Sequence, residues 1–288
     1  MDAKLIADVL PPIIYRPLLR IYLLARGLGW HRFYGCYPTL ADVPSDPEGQ
    51  NSDWYAASAA KEIESLKSEL SHRSMGDEAG LLVLPLAVSQ LLYGGPGTVS
   101  VLDFGGGAAK GLKEILEHVP NLDLTRFRYI LVETPAMRQA MRNRLMEIQK
   151  ERFDGVSFMQ VEEAIPASLS HPLIVHARSS MQYIPDYPAV LSRLLALVPE
   201  IFIVAHTPVS DAPTYAQQQL NNPHRRLARW IFNRDRLISE IEMAGYRLAF
   251  TFDHELPITY KKAPAGVNDA SMVFHRMTAS NCGKSTRQ

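Results

Sequence analysis

Cysteine is nearly missing from this chain: two residues in 288, Cys36 and Cys282. Two thiols cannot build a disulfide framework, and no CxxC pair points to zinc. That usage fits a reducing compartment, so a cytoplasmic location is expected. There is no charge surplus either. Thirty Lys and Arg balance thirty Asp and Glu, for a formal net charge of zero. Proteins that wrap nucleic acid carry a basic excess, so no nucleic-acid partner is expected. Internal repeats and low-complexity tracts are absent. So is any unbroken apolar run of about 20 residues, the length a membrane-spanning helix needs. "LPPIIYRPLLRIYLLARGLGW" (Leu10–Trp30) comes nearest, but Pro11, Pro12, Pro17, Arg16, Arg20 and Arg26 interrupt it. No small-residue cleavage site follows it, which argues against a secretory signal. After Pro17 it has the pattern of an amphipathic helix with arginines on one side. Such a helix makes a peripheral contact with an anionic membrane, or packs on the domain or a second subunit. Arginines beside apolar residues are common on packed helices, which favours the second option.

What remains is an ordinary globular composition, 47% hydrophobic and 21% charged. The length suits one large α/β domain, with or without a smaller appendage. Residues 35–53 are rich in Pro, Gly, Asp and Ser and read as loop. Asp53 is a plausible N-cap for a helix through "WYAASAAKEIESLKSELSH". Residues 1–75 are therefore expected to be helical and irregular, without strands. From residue 81 short apolar runs alternate with helix-period segments. The expected strands are Val99–Phe104, Tyr129–Glu133, Val156–Gln160, Leu173–Ala177 and Ile201–Ala205. Between them, Leu112, Ile115, Leu116 and Val119 form one helical stripe. Thr134 and Pro135 open a second helix with Met137, Met141, Leu145 and Ile148 on one face. A third starts near Asp186. After a further helix stopped by Gly245, "YRLAFTFD" and "SMVFHRM" follow as strands with no crossover helix, which implies antiparallel pairing. The pattern predicts a doubly wound α/β fold: a seven-stranded, mostly parallel sheet over residues 76–278, an N-terminal helical region over 1–75 and a frayed tail at 279–288.

"VLDFGGGAAKG" (Val101–Gly111) sits where a doubly wound sheet binds ligands, at the carboxyl end of the first parallel strand. A dinucleotide site prefers G-x-G-x-x-G, and counting from Gly105 the third glycine position holds Lys110. Asp103, Gly105 and Gly107 instead satisfy acid-x-Gly-x-Gly. An acid at the strand end repels a pyrophosphate but suits a cationic ligand without phosphate. S-adenosylmethionine carries an ammonium and a sulfonium, so electrostatics favour it. Glu133, at the tip of the next strand, has two oxygens able to accept both ribose hydroxyls. NAD enzymes use an acid in the same way, so Glu133 alone does not discriminate. A solvated acid at a helix start is its plain alternative.

With these residues in view, the chain resembles the class I S-adenosylmethionine-dependent methyltransferases. "VLDFGGG" is similar to their first motif, "YILVETP" to the acidic second-strand motif, and "LIVHARSSMQYIPDYPAVL" to a fourth-strand motif of small-molecule enzymes. Together with "FYGCYPTLADVP", "HTPVSDAPTYAQQQL" and "FNRDRLISEIEMAGYRL" they resemble a poorly characterised bacterial family of methyltransferases, over about residues 33–277. The resemblance implies S-adenosylmethionine as cofactor and leaves the acceptor open. Carried over by position, Asp103, Gly105, Gly106 and Gly107 line the methionine end and Glu133 holds the ribose. Val161 or Glu162 lies near adenine, and His176 and Ser179 lie under the sulfonium.

Methyl transfer rests largely on alignment of acceptor, methyl and sulfur. If the acceptor must lose a proton, His176, His206 and Tyr183 are the candidate bases. For either histidine the competing role is a hydrogen-bonded group at the end of the sheet. The Asn/Asp-Pro-Pro-aromatic signature of base methylation is missing. Thr207–Arg229 is polar and reads as an irregular lid over the acceptor. Tyr37, Gln182, Tyr215 and Gln217 are its expected substrate contacts, Trp54 closes from the N-terminal side, and Arg225, Arg226 and Arg229 form either an anion site or a solvated face. The acceptor expected is a polar small molecule or saccharide, methylated at oxygen. The rival readings are an NAD(P)-dependent oxidoreductase, for which a Tyr-x-x-x-Lys pair is missing, and a non-catalytic adaptor retaining the fold.

Overall fold

A computed structural model describes residues 31–45, 79–107, 109–135, 137–139, 141–142, 158–162, 164–222, 225–254, 259–261 and 266–277. The N-terminal amphipathic segment, the helix from Asp53, Trp54, Cys282 and the 279–288 tail fall outside these residues. The chain divides into two compact units. One comprises residues 50–207, 234–254 and 270–288, the other 1–49, 208–233 and 255–269. Two stretches expected within the 76–278 domain, 208–233 and 255–269, thus cluster with the N-terminal residues.

The larger unit is the doubly wound sheet. Its strands are β2 (Val99–Phe104), β3 (Phe127–Val132), β4 (Met159–Glu162), β5 (Leu173–Arg178), β6 (Ile201–Ser210, of which 208–210 count with the other unit), β9 (Tyr246–His254) and β11 (Asn268–Arg276, of which 268–269 count with the other unit). They run in the order β4-β3-β2-β5-β6, with β11 pairing β6 and β9. β3 pairs parallel to both β2 and β4, and β5 to both β2 and β6. The sheet is mostly parallel with an antiparallel edge, as the alternating pattern predicts. Its central strands read as continuous apolar runs because helices cover both faces. Val99, Val101, Leu102, Leu131 and Ile174 are all buried. Helix α1 (Ala79–Gly94) contributes Leu84, Val88 and Leu92 to this core, and α2 (Lys110–His118) contributes Leu112 and Ile115. The stripe on α2 is the one its spacing predicts. Backbone at 135–142 is helical where described, with Met137 and Met141 buried one turn apart. Asp186 caps α3 (Tyr187–Ala196) by accepting from the Ala189 amide at 3.3 Å. Gly245, at φ +93°, ends α4 (Arg234–Met243). Among the described residues no helix is long and apolar enough to cross a membrane.

The smaller unit overturns two expectations. Its sheet runs β10 (Thr259–Lys261), β1 (His31–Tyr37), β7 (Tyr215–Asn222), β8 (Arg225–Asn233). β1 lies inside the region expected to have no strands. Gly35 and Pro38 dominate that reading, yet Phe33, Tyr34 and Tyr37 are good strand residues that find partners far along the chain. β1 pairs antiparallel with β7, Phe33 opposite Gln219, and parallel with β10. The irregular lid expected over Thr207–Arg229 is instead largely a hairpin, β7 and β8 pairing antiparallel from Tyr215↔Ile231 to Gln219↔Leu227. "YAQQQLNN" has weak strand propensity, so only its cross-strand partners hold it in this form.

The arginine cluster divides too. Arg226 is exposed, but Arg229 is 6% exposed, its guanidinium 3.5 Å from the Phe33 ring centroid. Arg229 also donates to Gln217 Oε1 at 3.3 Å, and Gln217 Nε2 reaches the Gly35 carbonyl at 3.4 Å. Gln217 is fully buried by these contacts, so its amide serves the sheet and not an acceptor, contrary to expectation. Tyr215 is buried at the start of β7. Tyr37 is half-buried, with its ring folded over Gly35.

Candidate functional site

In the larger unit the carboxyl ends of β2, β3, β4 and β5 lie side by side. The chain leaves β2 through Gly105, Gly106 and Gly107. Gly105 and Gly107 take φ of +64° and +59°, a region costly for residues with a Cβ. Among the described residues, an added Cβ at Gly107 would meet nothing within 4 Å, so this glycine faces outward from them. Gly106 has a different reason. A Cβ there would lie 2.2 Å from Asp103 Oδ2 and 2.4 Å from its Cγ. One from Gly111 would lie 2.9 Å from the same oxygen. These glycines make room for a carboxylate tucked beneath the turn.

That position corrects the expectation for Asp103. Its side chain was to line the methionine end, but the residue is 0% exposed. Strand register explains why. Asp103 stands opposite Leu131 on β3 and His176 on β5. With a period of two, Tyr129 shares the face of Leu131. The Tyr129 hydroxyl donates to Asp103 Oδ2, and His176 Nδ1 donates to Oδ1 at 2.8 Å. Burial and the Asp103 charge push the Tyr129 phenol well above its ordinary range, so it stays a neutral donor. His176 is 3% exposed, with its Nδ1 taken by this bond. It fills the sheet-end role rather than that of an accessible base.

Glu133 follows β3 directly and lies across the turn. Its Oε1 accepts from the Gly107 amide at 2.6 Å and its Oε2 from the Thr134 amide at 2.9 Å. Burial raises its pKa above the usual carboxylate value. The two amides pull the other way, and the nearby Asp103 charge adds to the rise. Each carboxylate oxygen retains a lone pair beyond these bonds. Val161 is half-buried and Glu162 exposed at the end of β4, and the Glu162 carbonyl accepts from the Glu133 amide at 3.0 Å.

Beyond β5, Ser179 (φ +50°) and His206 (φ +48°) both hold left-handed backbone. Ser179 is exposed; its amide donates to the Ala205 carbonyl at 2.9 Å and its hydroxyl to the His206 carbonyl at 3.2 Å. His206 Nε2 lies 3.1 Å from an Arg178 guanidinium nitrogen. Arginine only donates, so this nitrogen accepts and its lone pair is engaged. The ring stacks on His254 with centroids 3.9 Å apart. Arg178 is anchored by buried Glu114 of α2 at 2.6 Å. Tyr183 is half-buried in the 3₁₀ turn Met181–Tyr183.

In that turn Ser180 and Gln182 are 8% and 3% exposed. Ser180 Oγ and Gln182 Oε1 have no hydrogen-bond partner among the described residues. Ser180 occupies an N-cap position without capping, and its Cβ is 2.4 Å from where a Cβ on Gly105 would stand. Tyr129, Arg178 and Glu114 were not singled out as site residues from sequence. For Tyr129, aligning β2 with β3 supplies the missing signal, since it shares a face with the partner of Asp103. Among the described residues no group of three or more acidic, His or Cys side chains could hold a metal.

No family model matches the sequence. No curated protein matches it. Solved structures with a similar backbone include a 1,6-didemethyltoxoflavin-N1-methyltransferase from Burkholderia thailandensis with bound S-adenosylhomocysteine. It is 16% identical, covering 84% of this chain and 95% of that one, with a TM-score of 0.46. The cyclase SpnF is 13% identical over 85% of this chain and 100% of that one, TM-score 0.49. A magnesium protoporphyrin IX methyltransferase from Synechocystis with bound S-adenosylhomocysteine is 12% identical over 81% of this chain and 100% of that one, TM-score 0.48.

Proposed function

We propose that the larger unit binds S-adenosylmethionine and that the protein transfers its methyl group to a small-molecule acceptor. The observation that carries this reading is the Glu133 carboxylate lying on the Gly107 amide, beside a glycine whose outer side is open. The residues present fit such a cofactor. Glu133 has acceptor capacity left for two ribose hydroxyls, Gly107 leaves room for close approach, and Ser180 and Gln182 carry buried polar atoms awaiting partners. When bound, the cofactor supplies an electrophilic methyl group on a positively charged sulfur. Asp103 contributes a negative charge beneath the turn without touching solvent. A pyrophosphate would meet that charge where a cation is favoured. Lys110 at the third glycine position further separates the turn from a dinucleotide site.

The chain's own contribution to transfer is alignment. His176 is 3% exposed, which shuts its ring away from an acceptor, and His206 Nε2 is engaged by Arg178, so neither histidine stands ready as a base in this arrangement. Tyr183 remains the candidate if a hydroxyl acceptor must be deprotonated. A polar acceptor methylated at oxygen is the finer form of the proposal. The test is incubation of the protein with methyl-labelled S-adenosylmethionine and a fractionated pool of polar metabolites. Label recovered in one small molecule supports transfer. Binding without transfer to any fraction favours the adaptor reading.

A further inference from the structure

We infer that the amino-acid end of the cofactor is received by the side chains of Ser180 and Gln182, and not by the Asp103 carboxylate; this rests on the S-adenosylmethionine reading above. Two facts make the case. The first is that Asp103 is enclosed. One oxygen is taken by Tyr129 and the other by His176, the residue is 0% exposed, and Gly106 closes over it. Reaching a ligand would mean abandoning buried hydrogen bonds. The second is that two buried acceptors in the turn after β5 have nothing to accept from among the described residues. Gln182 Oε1 and Ser180 Oγ have no partner among the described residues, and an orphaned buried acceptor is a standing penalty to the free protein. Ser180 packs directly on Gly105, the first residue of the turn, and Gln182 follows two residues later in the same 3₁₀ segment. A serine at an N-cap normally spends its hydroxyl on the helix; this one does not.

The chemistry of the pair defines what it takes. A carboxamide oxygen only accepts, and a hydroxyl accepts or donates. A group with several N–H donors, a primary ammonium, satisfies both. Hydrogen bonds to a charged donor are about twice as strong as neutral ones. The carboxamide remains neutral, so the pair receives the cation without burying a second anion near Asp103.

The experiment compares two probes by calorimetry on the full chain. S-Adenosylhomocysteine carries the amino-acid end, and 5′-methylthioadenosine lacks it but keeps the nucleoside. The variants are Gln182→Leu and Ser180→Ala. Gln182→Leu is expected to lower S-adenosylhomocysteine affinity about tenfold or more, with methylthioadenosine changed less than twofold. Ser180→Ala should act in the same direction with a smaller factor. A second readout separates this from a merely structural role. Removing an unpartnered buried oxygen should leave the thermal midpoint of the free protein unchanged or raised. Equal losses for both probes, or unchanged affinity for both, would overturn the assignment while leaving the cofactor reading intact. If neither probe binds the unaltered protein, the cofactor reading itself fails, and the assignment with it.

Discussion

Replacing Gly106 with alanine puts a methyl group where the Asp103 carboxylate already lies. The added carbon would stand 2.2 Å from Oδ2, 2.4 Å from Cγ and 2.9 Å from Oδ1. The carboxylate cannot swing aside cheaply. His176 holds one oxygen at 2.8 Å, Tyr129 holds the other, and no solvent reaches the residue. Forcing one carbon into such packing costs about 1–3 kcal/mol. If the carboxylate is displaced, each buried hydrogen bond left unmade adds about 1–3 kcal/mol. Gly106→Ala should therefore destabilise by about 3 kcal/mol or more. Gly107→Ala provides the comparison. Its Cβ meets none of the described residues within 4 Å, so only the left-handed backbone counts against it, about 1–2 kcal/mol. Urea unfolding of both variants measures the difference. Combining Gly106→Ala with Asp103→Ala should recover part of the steric loss, a coupling of at least ~1 kcal/mol in a double-mutant cycle. A Gly106→Ala protein within about 0.5 kcal/mol of the unaltered one would refute the placement of the carboxylate beneath the turn.

Other outcomes follow from the same contacts. The pKa of Glu133 is raised in the fold, mainly by burial, so the folded protein binds its proton more tightly than the unfolded chain. The stability this gives is complete below the unfolded pKa and is lost as pH rises through the folded value. Glu133→Gln keeps one acceptor for two amides and so carries a fixed loss, and its stability relative to the unaltered protein should fall further on acidification. Urea midpoints at several pH values test this; a loss that shrinks towards acid pH contradicts it. Arg178→Ala strands buried Glu114 and should cost about 3–5 kcal/mol, whereas adding Glu114→Gln recovers much of it. Additive losses in that cycle would deny the pair a role. In the smaller unit, Arg229→Ala removes a ring contact and a bond to buried Gln217. Amide exchange in β7 and β8 should accelerate about tenfold or more, with Arg229→Lys rescuing little because it lacks the planar fork. Unchanged exchange would relegate Arg229 to a passive position.

The larger unit was legible because its signals are local. Apolar runs mark β2, β5 and β6, the stripe from Leu112 to Val119 marks α2, and Asp186 and Gly245 mark helix ends. Boundaries slipped where strands start early or late: β3 begins at Phe127, and β4 occupies Met159–Glu162. The smaller unit was not legible. β1 depends on pairings with β7 between residues nearly two hundred positions apart, and the Gln- and Arg-rich composition of the β7–β8 hairpin resembles loop. At the site, the motif around Asp103 directed attention to the right turn but to the wrong side of it. Acid-x-Gly-x-Gly says that a carboxylate and flexible backbone meet. Whether the carboxylate faces out or in depends on Tyr129 and His176, which approach from neighbouring strands. Gly106 is a glycine for an internal reason, and Gly107 is the one that opens outward.

Titration of the full chain with S-adenosylmethionine, S-adenosylhomocysteine and NADH, repeated on Glu133→Ala, tests the central claim most directly. The account predicts heat from both sulfur nucleosides and none from NADH. It also predicts a loss of about tenfold or more when the Glu133 carboxylate, able to take two ribose hydroxyls, is removed. Binding of NADH with no response to either sulfur nucleoside would contradict it.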